Sequence, residues 1–126
     1  MGMTPGALAL QRFDKDPHHA LGVAVWDDLC GHGMRVFESD AAVGHERTGI
    51  ALSLQREGVM LMWQMGERQE RGIYEDSLNG ERSRSVAAVM TGAVAGSLAA
   101  LGYHVHAEFV DKLPFPALYV HGRSEK

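Results

Sequence analysis

The sequence predicts an α+β fold: a single domain with a mainly antiparallel sheet of about five to seven strands packed on one long helix near residues 85–101. Three observations carry this expectation. Short runs in which apolar residues alternate recur along the chain. One long uncharged stretch has helical spacing instead. And 126 residues with 45% apolar and 22% charged side chains have the size and composition of one globular unit. There is no internal repeat, low-complexity tract or linker, and the prolines mark the ends of periodic segments.

The elements follow in chain order. Gly6–Phe13 reads as a strand, because Leu8 and Leu10 alternate. Asp14-Lys15-Asp16-Pro17 is a turn. Ala20–Trp26 reads as a second strand, with Leu21, Val23 and Val25 on one face. Gly31-His32-Gly33 breaks the chain, and Met34–Glu38 is a short third strand. Ile50, Leu52 and Leu54 then alternate with Ala51, Ser53 and Gln55; after Arg56-Glu57-Gly58, Val59, Leu61, Trp63 and Met65 alternate with Met60, Met62 and Gln64. Two such runs around a tight turn specify a β-hairpin. Its second strand is apolar on both faces, which suits a central strand.

Residues 66–85 hold five acidic and four basic residues. A structureless stretch of that length is unusual in a small domain, so a short strand is expected at Ile73-Tyr74. Val86–Leu101 is the helix, capped by Ser83 or Ser85 and stopped by Gly102. It carries almost no charge, so it is expected to be buried on most sides. Its ridge of Gly92, Gly96 and Ala100 suits close approach to a sheet or a second copy of the chain. Tyr103–Val110 is a strand with His104, His106 and Glu108 on one face. Phe115–His121 is the last strand, placed at a sheet edge by Pro116. A single helix covers one sheet face; the other is solvated, strongly curved into a half-barrel, or paired in a homodimer.

Composition narrows the function classes. The formal net charge of −4 lacks the basic field of a dedicated nucleic-acid binder. One cysteine excludes an internal disulfide framework. The apolar run Val86–Leu101 is shorter than the roughly 20 residues of a bilayer-spanning helix. With no basic, apolar leader at Met1–Leu10, a cytoplasmic location is expected. Protonating all seven histidines would move the charge from −4 to +3.

Four constellations carry chemistry. His104-x-His106-x-Glu108 offers two imidazoles and a carboxylate on one strand face, with His121 on the next strand as a fourth ligand: a candidate divalent metal site. Asp16, His18, His19, Asp27, Asp28, Cys30 and His32 cluster in sequence, but at spacings that match no zinc pattern, and Cys30 reads as a small apolar residue. The stretch from Glu67 to Arg84, beside Trp63, combines aromatic and charged residues as protein interfaces do. Its candidate partner-binding residues are Trp63, Glu67, Arg68, Glu70, Arg71, Tyr74, Glu75 and Asp76. Met60, Met62, Met65 and Met90 supply adaptable apolar surface. Phosphate loops, dinucleotide fingerprints, nucleophile elbows and zincin motifs are absent, so no catalytic residue is assigned.

Three function readings stand. The first is a small protein-binding domain, of the inhibitor or immunity type, that neutralises a toxin or enzyme through a sheet face and charged loop; it needs no cofactor. The second is a metal- or small-ligand-binding protein, with an enzyme among its forms, built on His104, His106, Glu108 and His121. The third is a structural subunit of a homo-oligomer, joined through the glycine ridge.

Overall fold

Residues 2–39, 48–65, 72–110 and 113–124 are described in a computed structural model of the chain. The chain opens on helices where alternation suggested strands. Thr4 caps α1 (Pro5–Ala9): its hydroxyl accepts a hydrogen bond from the Ala7 amide at 3.2 Å, and Pro5 sits in the first turn, where its missing N–H costs nothing. A 3-10 turn at Gln11–Phe13 follows. α2 (His19–Gly31) stands where a strand was expected over Ala20–Trp26. Its buried residues are Gly22, Val25, Trp26 and Leu29, a helical spacing. Leu21 and Val23 are only half-buried, so their alternation with Val25 is incidental. Gly22 lets α2 approach the sheet closely; a Cβ there would lie 2.6 Å from Leu54 Cδ2. The expected break follows α2, with Gly33 in the left-handed region.

Then come β1 (Val36–Glu38), β2 (Gly49–Gln55), β3 (Gly58–Gln64), α3 (Leu78–Ala100), β4 (Tyr103–Glu108) and β5 (Ala117–Arg123). Among the described residues they form one open five-stranded sheet, ordered β1-β2-β3-β5-β4. β1 runs parallel to β2 and every other pairing is antiparallel. The β2–β3 hairpin forms as expected: Leu52 pairs with Leu61, Leu54 with Val59, and Gln55 with Gly58 around the turn. Gly58 has φ +148°, and a Cβ there would strike the Val120 carbonyl, so only glycine fits where β3 meets β5. β5 lies inside the sheet, between β3 and β4, not at an edge. Pro116 precedes the strand, so it removes no hydrogen bond from the ladder.

Both long helices pack on the same sheet face. One core gathers Val25, Trp26 and Leu29 of α2, Val94 and Leu98 of α3, and Ile50, Leu52, Val59, Leu61, Leu118 and Val120 of the sheet. The sheet is therefore covered by two long helices and not by the single one expected. α3 begins two turns before Ser83 and Ser85, at the N-cap Ser77, whose hydroxyl accepts from the Gly80 amide at 3.0 Å. Ser85 instead donates to the Glu81 carbonyl inside the helix. Ile73 and Tyr74 form no strand. Ile73 is fully buried in a second cluster with Met65, Ala87 and Phe115, within a turn. Arg84 ties that turn to α3, donating to the carbonyls of Ile73 at 2.7 Å and Glu75 at 3.0 Å.

α3 buries only one stripe, Gly80, Ala87, Thr91, Val94 and Leu98. This corrects the expectation of a helix buried on most sides. Val86 and Val89 are 55% and 68% exposed, and Gly92, Gly96 and Ala100 face solvent. A Cβ at Gly92 or Gly96 would meet nothing within 4 Å, so the ridge does not approach the chain's own sheet. The uncharged composition reflects small residues on an open face, not burial.

Candidate functional site

Trp63 of β3 borders an open region beside α3 and the segment that joins α2 to β1. Trp63 pairs with Ile50 across β2–β3, which turns its ring toward the helices and not toward the open sheet face. It packs against both apolar clusters and is itself half-buried. Two cavities of about 330 and 320 Å³ open beside it and share Thr48 and Trp63 in their walls. One runs under the N-terminal half of α3, past Met65, Arg82 and Val86. The other runs toward the end of α2, past Met34, Arg35, Ile50 and Met90. Together they make an apolar crevice of the size that binding sites commonly have. Arg35 and Arg82 are exposed at its walls and make no ion pair with another described residue.

Of the partner-binding residues expected from sequence, Trp63 is at the crevice. Tyr74, Glu75 and Asp76 are exposed in the turn before α3, Tyr74 to 60%. Glu67, Arg68, Glu70 and Arg71 lie outside the described residues. Met65 and Met90, expected from sequence as adaptable apolar surface, and Arg82 of the charged stretch also line the crevice, whereas sequence reasoning missed Arg35, Thr48 and Val86. Their meeting depends on how α3 and the α2–β1 connection pack beside the hairpin, and no local signal announces that.

The histidine constellation is brought together in part. β4 and β5 change register between His104 and Val105: His104 pairs with Gly122 and Val105 with Val120. His121 is the extra residue of this β-bulge. Two residues from Tyr119 on β5, it shares the open face of the sheet with that residue. His121 Nδ1–H donates to the Glu57 carbonyl at 3.0 Å, and His106 Nε2–H donates to Glu108 Oε2 at 3.0 Å. The remaining nitrogens, His121 Nε2 and His106 Nδ1, face each other at 2.5 Å. The His106 ring also stacks on Tyr119, with centroids 5.4 Å apart. Burial, then the negative charge of Glu108 and Glu57, pushes the Tyr119 phenol above its ordinary value. His104 stands apart, against the Ser124 hydroxyl at 3.3 Å. Among the described residues no group of three or more His, Cys, Asp or Glu side chains converges to hold a metal ion.

The N-terminal cluster disperses into separate contacts. Asp27 accepts from the Gly6 amide at 2.8 Å, and Asp28 accepts from the Tyr103 hydroxyl. His32 donates to the Asp28 carbonyl at 2.7 Å and His18 to the Arg56 carbonyl at 3.2 Å. Burial pushes the Cys30 thiol up, away from the thiolate a nucleophile needs. No described helix is long and apolar enough to cross a membrane. Comparison with family models, with curated proteins and with solved structures gives no match.

Proposed function

We propose that this chain is a small protein-binding domain whose partner inserts an apolar segment into the crevice beside Trp63, between α3 and the segment that joins α2 to β1. The observation that carries this reading is the crevice itself: two adjoining, mainly apolar cavities that share Thr48 and Trp63 in their walls. Its methionines, Met34, Met65 and Met90, suit an adaptable surface. The crevice is continued outward by Val86, which is 55% exposed. Arg35 and Arg82, without ion-pair partners among the described residues, favour a segment that carries carboxylates beside its apolar anchors. An inhibitor or immunity-type role falls within this reading and draws on the chain's size and acidity alone.

The test is native mass spectrometry of the untagged chain purified from its own host, repeated on Val86→Glu and Met90→Lys. The expected result is a complex with a second polypeptide that each substitution weakens by about ten-fold or more, the order of 1.4 kcal/mol. A complex that both substitutions leave intact, or a chain that travels alone, removes the crevice as an interface. A mass of two identical chains moves the homo-oligomer reading to the front.

A further inference from the structure

The two histidines that face each other across the β4–β5 bulge are placed for a task the crevice does not need. Each imidazole has one nitrogen committed. His121 Nδ1 faces a backbone carbonyl, which only accepts, so that nitrogen carries hydrogen. His106 Nε2 faces the Glu108 carboxylate, which also accepts when ionised, so that nitrogen carries hydrogen too. In neutral rings both lone pairs then fall on the remaining nitrogens, His121 Nε2 and His106 Nδ1, and these are the atoms that face each other at 2.5 Å. Two lone pairs repel at that distance unless a cation lies between them.

We propose that His106 and His121 form a two-ligand site for a divalent transition ion such as Zn²⁺, Ni²⁺ or Cu²⁺, for which imidazole is a fitting ligand. The outer contacts are those a ligating histidine uses: its second nitrogen donates to a carboxylate or a backbone carbonyl, which fixes tautomer and ring orientation. Here Glu108 serves His106 and the Glu57 carbonyl serves His121. Metal–nitrogen bonds of about 2.0–2.1 Å need the two nitrogens roughly 3 Å apart. The gap therefore widens on binding, at a His106 side chain that is 46% exposed. Two protein ligands leave the ion's other positions to water or an external donor, in keeping with the lack of a three-residue ligand group among the described residues. The candidate site first read as His104, His106, Glu108 and His121 thus contracts to two ligands and a carboxylate that orients one of them.

Isothermal titration of the untagged chain with Cu²⁺, Ni²⁺ and Zn²⁺ as their chlorides tests this. The expected result is one ion per chain for at least one of them. Binding should fall at least ten-fold in His106→Ala and in His121→Ala, and about ten-fold in Glu108→Gln. His104→Ala should leave it unchanged. These side chains are exposed, and circular dichroism of each variant confirms that the fold persists. Long-range ¹H–¹⁵N spectra of the imidazoles give a second readout: hydrogen on His121 Nδ1 and His106 Nε2, with the metal signal on the other nitrogens. Binding that survives loss of either histidine, the opposite tautomers, or no stoichiometric ion at all overturns the proposal; in the last case the cation between the rings is a proton.

Discussion

Tyr103 shows how much one side chain can tie together. It is 4% exposed, and its hydroxyl donates to Asp28 at 2.5 Å, joining the start of β4 to α2. Arg123 completes the group, 3.3 Å from Asp28 and stacked over the Tyr103 ring. Burial first, then the Asp28 hydrogen bond and charge, hold the phenol well above its ordinary value. The folded state thus keeps its proton to higher pH than the unfolded chain, which releases it near pH 10. The sign follows: this stabilisation is complete below about pH 10 and is lost as pH rises from there toward the folded value, at up to about 1.4 kcal/mol per pH unit. Urea unfolding across pH 8–12 should show that decline, and Tyr103→Phe should lessen it. At neutral pH the same substitution should cost about 1–2 kcal/mol, since Asp28 keeps Arg123. None of this was legible in the sequence, where Asp28 and Tyr103 are 75 residues apart. Thr4-Pro5 was legible and carries an N-cap signal that outranks the alternation of Leu8 and Leu10.

At the scale of elements, α3 is the one whose limits and exposure differ most from expectation. Its glycine stop at Gly102 was readable, and φ there is +92°. Its start was not, because Glu81, Arg82 and Arg84 resemble a charged loop until Ser77 is seen capping them. The open environment of Gly92 and Gly96 has a direct stability consequence. Each should gain from alanine, which costs a helix about 0.8–1.0 kcal/mol less than glycine does. Gly92→Ala with Gly96→Ala should therefore raise stability by about 1–2 kcal/mol in thermal unfolding. A loss of stability that accompanies loss of a dimer would instead place a second chain against this ridge. The β2–β3 hairpin was readable throughout, because local alternation and a two-residue turn specify it without help from the rest of the molecule.

At the scale of the whole molecule, what could not be read is what depends on distant packing. The α+β class, the mainly antiparallel sheet and the hairpin follow from local pattern, whereas the parallel pairing of β1 with β2 does not. Nor does the pairing of β3 with β5, which puts Val59 beside Val120. The crevice forms where α3 and the segment after α2 both border Trp63, a juxtaposition set by distant packing. Likewise the His106–His121 pair depends on the β4–β5 register, which sets His106 opposite Tyr119 and which alternation along β4 cannot reveal. The two proposed sites sit on opposite faces of the sheet. Met90→Lys should therefore disturb partner binding and leave ion binding intact, while His121→Ala should do the reverse. Titrating both variants with both probes would show whether the faces act independently.

The margins of the sheet bear on how a partner can engage it. β1 has three residues, and β4 carries His104, His106 and Glu108 beside a bulge that disrupts its ladder. Short, polar and irregular borders of this kind discourage further strands from adding on, whether from aggregating copies or from an extended peptide. Under the proposed binding role, such borders direct recognition to side chains and not to the backbone, so selectivity would rest on shape and charge at the crevice beside Trp63.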